Sequence, residues 1–161
     1  MRYLLDTGIL LRMVNREATM HDQIRRAVRL LKTQGHIVVT TFQNVREFWN
    51  VCTRPVEARG GLGLTVDETR RRLRTIERTT TVLPDSAETY GRWKDLVVAH
   101  GIRGVQVHDA MIVATMTVYQ ITSLLTLNPA DFARYANITV LTPEQVLASA
   151  TSPEDKNRQT R

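Results

Sequence analysis

The chain has a single cysteine, Cys52, among 161 residues. That excludes an intramolecular disulfide framework and a cysteine-rich zinc site, and it sets a reducing, cytosolic setting as the expectation. No apolar run reaches the ~18 residues of a membrane-spanning helix, so no membrane role is expected. The N-terminal YLLDTGILLRMV carries Asp6 in its middle and lacks a basic leader, so it does not read as a signal peptide. The stretch Gly60-Gly61-Leu62-Gly63 has neither a following lysine nor a preceding strand, which excludes a phosphate loop. His21, His36, His100 and His108 form no i, i+4 pair that would hold zinc. Ser86, Ser123, Ser149 and Ser152 show no nucleophile elbow.

Lysine is nearly missing too. Of 22 basic residues only Lys32, Lys94 and Lys156 are lysine; against 16 acidic residues the net charge is +6. Coding bias explains why the cations are arginine, but not their clustering. Residues 16–32 and 54–78 each carry +3, whereas 101–149 carries −1. Two Arg-rich segments beside a nearly neutral remainder point to a polyanionic partner. Arg25, Arg26, Arg70, Arg71 and Arg74 are the candidate nucleic-acid contacts.

What is present is a 42% hydrophobic composition, which excludes wholesale disorder and suits one domain. Short apolar runs alternate with helical patterns. RYLLD (2–6), HIVVT (36–40), TTVL (80–83), ITSLLTL (121–127) and ITVL (138–141) read as strands. Residues 21–34 read as an amphipathic helix stopped by Gly35, and 42–53 as a helix with a stripe of Phe42, Val45, Trp49 and Cys52. Thr65 to Glu68 is a capping box opening a basic helix to about residue 78, and Asp85 to Glu88 resembles another. Residues 108–119 are apolar nearly all round and predict a central helix. Thr142-Pro143-Glu144-Gln145 caps a last helix. The polar tail from Ala150 reads as disordered. This alternation predicts an α/β domain over 1–149, with a mostly parallel sheet of about five strands covered on both faces.

In such sheets ligands bind beyond the carboxyl ends of the strands. Asp6 ends the first strand, where a helix N-cap is the bland reading. Asp6-Thr7-Gly8 spells an aspartic-protease signature, but it opens a helical segment, whereas those enzymes are all-β. A dehalogenase-type phosphatase needs a second Asp where Gly8 stands. Glu47 falls with Gln43, Arg46 and Asn50 on the polar side of its wheel, so periodicity predicts it exposed. Asp109 starts the apolar helix, where an N-cap or dipole role competes. Asn128 can cap the turn that Pro129 opens, and Asp131 can complement its dipole. Singly each residue is more often structural. Together they set acids and amides after successive strands, hard oxygen ligands suited to Mg²⁺ or Mn²⁺.

The order of these pieces resembles the PIN-domain family, particularly the VapC-type toxins of bacterial toxin–antitoxin pairs. It rests on YLLDTGILL, NVREFWNVCTRP, VHDAMIVATM and LLTLNPADFARY, and covers roughly residues 1–148. The resemblance implies a three-layer α/β/α fold and a Mg²⁺- or Mn²⁺-dependent ribonuclease. By position Asp6, Glu47 and Asp109 are then the catalytic and metal-binding acids. Asn128 falls where a fourth acid is frequent, and Asp131 binds metal through water. Thr7 and Thr126 orient carboxylates. It further implies a homodimer silenced by a cognate antitoxin. Leu62 and Leu64, next to a basic helix, are a candidate exposed docking patch, the bland reading being a loop that tucks both leucines inward. The sequence departs from the family at Gly8, where Asn or Ser is common, and at Asn128, whose amide removes one charge. Those departures motivate an alternative, a catalytically silent module that binds RNA or protein.

Overall fold

The computed structural model describes residues 1–150, so the tail expected to be disordered lies outside the described residues beyond Ala150. The apolar runs form β1 (Arg2–Leu5), β2 (Ile37–Thr41), β3 (Thr81–Leu83), β4 (Ser123–Leu125) and β5 (Thr139–Leu141). They make one sheet in the order β3-β2-β1-β4-β5, and every neighbouring pair is parallel. Between them run α1 (Thr7–Val14), α2 (His21–Thr33), α3 (Phe42–Thr53), α4 (Val66–Thr79), α5 (Ala87–Ala99), α6 (Gln106–Val118) and α7 (Pro143–Ser149), with a 3-10 turn at Pro129–Phe132.

Strand alternation divides the core in two. Tyr3 and Leu5 of β1 face Ile9, Leu10, Ile24, Phe48, Ile76 and Val146 of α1, α2, α3, α4 and α7. Leu4 faces the other way, onto Ala110, Val113 and Met116 of α6, with Trp93 and Leu96 of α5 packed alongside. The sheet is thus sandwiched between two helical layers, as the alternation predicts.

Several local expectations need correction. The buried side of α3 carries Gln43, Asn44, Phe48 and Cys52, whereas Phe42 is 45% exposed. Hydrogen-bonded polar side chains fill the space under the first turn of α3, and Phe42 is displaced outward beneath the Arg46 guanidinium. Helix α5 is capped by Ser86, which accepts from the Thr89 N–H, rather than by an Asp85–Glu88 box. Helix α6 begins at Gln106, so Asp109 lies inside its first turn and does not cap it. Leu62 and Leu64 are not an exposed patch; both pack partly buried against the first core.

The two leucines turn inward because residues 62–64 fold back on α3. The N–H groups of Leu62, Gly63 and Leu64 donate to the carbonyls of Val51 (3.0 Å), Arg54 (2.8 Å) and Cys52 (2.8 Å). This satisfies carbonyls that a helix end leaves orphaned. Close approach makes Gly61 obligatory: a Cβ there would sit 2.1 Å from the Pro55 carbonyl oxygen. Gly61→Ala should therefore lower stability by about 2–3 kcal/mol. Gly91, inside α5 with nothing within 4 Å of a built Cβ, should show the opposite sign, gaining about 0.5–1 kcal/mol as alanine. Paired urea denaturation curves check both.

Candidate active site

The chain runs from β1 outward through β2 to β3, then returns to β4 on the other side of β1. This reversal opens a crevice at the carboxyl ends of β1 and β4, the place where open parallel sheets bind ligands. Asp6 follows β1 and its N–H donates to the Leu125 carbonyl at 3.0 Å. As N-cap of α1 its Oδ1 accepts from the Thr7 N–H at 2.7 Å. Its Oδ2 accepts from the Thr126 hydroxyl at 2.7 Å, a bond across the β1–β4 crevice.

A buried polar network links Asp6 to Glu47. The Thr7 hydroxyl donates to Glu47 Oε2 at 2.7 Å and accepts from Asn44 Nδ2 at 3.0 Å. Gln43 Nε2 donates to Glu47 Oε1 at 2.7 Å and to the His108 carbonyl at 3.0 Å, joining α3 to the start of α6. The Thr41 hydroxyl, itself the cap of α3, donates to Asn44 Oδ1. Glu47 is consequently only 33% exposed, not turned to solvent as its wheel predicts.

Asp109 on α6 and Asp131 on the 3-10 turn lie within electrostatic reach of these two acids. Their fields overlap. The Asp109 carboxyl is pushed up to about 6 by burial, then by the charges of Asp131, Asp6 and Glu47. Asp6 is also raised, chiefly by burial and further by Glu47 and Asp131, against the lowering bonds from Thr126 and Thr7. Among the described residues no lysine or arginine forms an ion pair with any of the four; Glu47 has only His108 Nδ1, at 3.9 Å. Like charges left unpaired in a half-buried crevice are costly unless something neutralises them.

A family model for the PIN domain matches residues 3–138. The chain belongs to the PIN-domain family. No curated protein matches it. Among solved structures, VapBC2 from Rickettsia felis bound to a promoter DNA fragment is 18% identical, with TM-score 0.67 over 88% of this chain and 98% of that one. VapBC-1 from nontypeable Haemophilus influenzae is 18% identical, with TM-score 0.62 over 89% and 99%. VapC20 from Mycobacterium tuberculosis, described as a Sarcin-Ricin loop cleaving toxin, is 17% identical, with TM-score 0.55 over 76% and 86%. At these identities the likeness is one of fold.

In this PIN domain Asp6, Glu47, Asp109 and Asp131 are brought into one electrostatic neighbourhood. Asn128 stands exposed at the rim, its N–H on the Thr126 hydroxyl at 3.1 Å and its amide making no capping bond. At Gly8 a Cβ would meet Arg12 Nη1 and Leu127 Cδ1 at 3.7 Å each, ordinary contact, so a larger residue is sterically tolerated. Arg25, Arg26, Arg70, Arg71 and Arg74 are exposed on α2 and α4, and Arg70 pairs with Asp67 at 3.2 Å. Gln43 and Asn44 escaped the sequence reading. Gln43 lies four positions before Glu47 and Asn44 three after the capping Thr41, spacings that face each other on a helix.

The donor set can be weighed for a metal. Its carboxylates are hard oxygens, as Mg²⁺ and Mn²⁺ require. Among the described residues no three His, Cys, Asp or Glu side chains are arranged to hold an ion as a ready cage. Asp6 and Glu47 instead engage protein donors on both oxygens. That excludes a closed protein cage and fits a hydrated ion held through one or two carboxylates, the usual mode for Mg²⁺. No helix among the described residues is long and apolar enough to cross a membrane.

Proposed function

We propose that this PIN domain is a metal-dependent endoribonuclease, the toxin of a toxin–antitoxin pair. The observation that carries this reading is that four carboxylates from four elements lie within one another's electrostatic reach with no lysine or arginine paired to them. Asp6 and Asp109 would hold the ion directly, Glu47 would hold it or orient a water, and Asn128 and Asp131 would complete the rim. A divalent ion, Mg²⁺ or Mn²⁺, would supply charge neutralisation and Lewis acidity toward a phosphodiester. The protein's share is positioning: Thr126 fixes the Asp6 carboxylate, and Thr7 with Gln43 fixes that of Glu47. In-line attack of water forms a phosphorus–oxygen bond and expels the 3′ oxygen as a hydroxyl, leaving a 5′-phosphate. Arginines on α2 and α4 would hold flanking phosphates, with affinity falling steeply as salt rises.

The toxin assignment draws on structures of like fold, among them a toxin–antitoxin complex from Klebsiella pneumoniae and a member of the VapBC family of toxin–antitoxin systems from Mycobacterium tuberculosis. A cognate antitoxin, a homodimer and a cytoplasmic site of action belong to the same reading. The purified chain should cleave single-stranded RNA with Mn²⁺ or Mg²⁺, leave 5′-phosphate ends, and fall to background in EDTA. Gly8 and the amide at Asn128, which departs from an acid, motivate the rival, a silent binding module. Calorimetric titration separates the two: no saturable Mn²⁺ uptake at millimolar metal by the folded chain would favour the module.

A further inference from the structure

A cleft of about 450 Å³ opens beside the acids, between α3 and the α5–α6 pair. Glu47 belongs to both sites; Arg46 and Asn50 of α3, Trp93 of α5, and His108 and Met111 of α6 line the rest. The volume suits a small-molecule-sized group.

The chemistry of the walls narrows the occupant. Trp93 donates its indole N–H to the Val107 carbonyl at 2.9 Å. That bond fixes the ring and uses its one donor; Tyr90 lies tilted against it with centroids 6.1 Å apart, and the ring, partly buried against the second core, lines the cleft with the rest of its surface. The Asn50 amide has no hydrogen-bond partner among the described residues, so it presents a donor and an acceptor together. The Arg46 guanidinium is steadied over the Phe42 ring, 5.1 Å from its centroid, and lies 3.8 Å from Asp85. A purely apolar segment would leave amide, imidazole and guanidinium unused. A flat heterocycle with a hydrogen-bonding edge and an attached phosphate uses all of them: unstacked RNA bases are held by aromatic faces and read at their edges.

We propose that this cleft is a nucleobase subsite: an unpaired base next to the scissile phosphate stacks on Trp93 and is read by Asn50, with Arg46 placed for a neighbouring phosphate. The inference rests on the ribonuclease reading, because Glu47 links the cleft to the acids. It supplies what that reading lacks, a source of sequence preference.

The test uses the full chain as Trp49→Phe, which leaves Trp93 the only tryptophan, titrated with the four nucleoside 5′-monophosphates in EDTA. Saturable quenching should favour one or two bases by about fivefold or more, and Asn50→Ala should flatten that preference. On mixed-sequence single-stranded RNA, Trp93→Ala should raise KM by about 10-fold with kcat within about twofold, since stacking on an aromatic ring is a main source of single-strand affinity. Trp93→Phe, which keeps a stacking face, should retain most of the affinity; circular dichroism confirms that each variant folds. Base-independent quenching, or an unchanged KM and cleavage pattern in Trp93→Ala and Asn50→Ala, would overturn the subsite. So would an unchanged KM accompanied by loss of self-association in sedimentation, which would make the cleft a contact with a second copy. Nucleotide binding by a native chain that cleaves nothing would keep the subsite and sink the nuclease reading; cleavage without nucleotide binding would do the reverse.

Discussion

Asp109→Asn should reduce RNA cleavage by on the order of 10²–10³-fold and yet melt at a higher temperature than the native chain in EDTA. The opposition of the two effects is the point. Asp109 titrates near 6 in the fold against an ordinary value of 3.8, with burial as the main cause and the neighbouring carboxylates next. An acid whose pKa is raised by folding adds its stability below the unfolded value and loses it as pH climbs through the folded one. At pH 7–8 an ionised Asp109 therefore works against the fold. Taken at face value that rise corresponds to about 3 kcal/mol, but the group is only half-buried and solvent screening reduces that to about 1 kcal/mol. For a domain of this size that corresponds to a rise of about 2–4 °C in Tm. The difference between variant and native chain should shrink as pH falls from the folded value of about 6 through the ordinary 3.8, and vanish only well below 3.8, where Asp109 is neutral in both folded and unfolded chains. Differential scanning fluorimetry across pH, beside a cleavage assay, reads both halves. Lower stability of the variant at pH 8 in EDTA would remove the electrostatic account of the cluster; undiminished cleavage would remove Asp109 from the site.

Asn44→Ala should damage both fold and activity. Asn44 is fully buried, accepts from the Thr41 hydroxyl and donates to Thr7 Oγ1, with a longer contact to Asp6 Oδ1 at 3.4 Å. Alanine leaves two buried hydroxyls short of a partner, which costs about 2–3 kcal/mol, or about 5–10 °C in Tm. Thr7, released from Asn44, no longer fixes Glu47, so kcat should drop by about 10–100-fold. A Thr7→Val variant, which keeps the shape of Thr7 and removes its hydroxyl, should reproduce most of the kcat loss. If Asn44→Ala unfolded readily but kept full kcat while folded, the amide would be a structural strut and nothing more.

The elements were legible because strand and helix periods differ sharply in this chain, and because caps such as Thr65 and Thr142 announce themselves three residues before Glu68 and Gln145. Asp6 at the end of β1 and Asp109 at the head of an apolar helix were legible for the same reason, whereas Glu47, on the polar side of its wheel, came through family likeness. Their supporting shell was less so. Hydrophobic periodicity assigns buried positions to apolar residues, so it turned α3 towards Phe42 and away from Gln43 and Asn44. A satisfied amide buries as readily as a methyl group, and no window over one helix shows that its partners lie forty residues away. Thr7 and Thr126 came through family likeness and not through pattern, since their partners are likewise distant in sequence. The folded-back leucines depended on Gly61, whose need for a bare Cα arises from Pro55 and is invisible until the loop closes.

The bond from Thr126 to Asp6 spans 120 positions, and its consequence lies in protein synthesis. A ribosome delivers β1 with Asp6 first and β4 with Thr126 late, and contacts of such separation are the slow ones to form. Asp109 also leaves the ribosome well after Asp6 and Glu47. On the ribonuclease proposal, the translating ribosome would be exposed to its own product. Until β4 has paired with β1, a nascent chain carries Asp6 and Glu47 but not the crevice, so on the ribonuclease proposal cleavage would begin only after Thr126 has been made and seated.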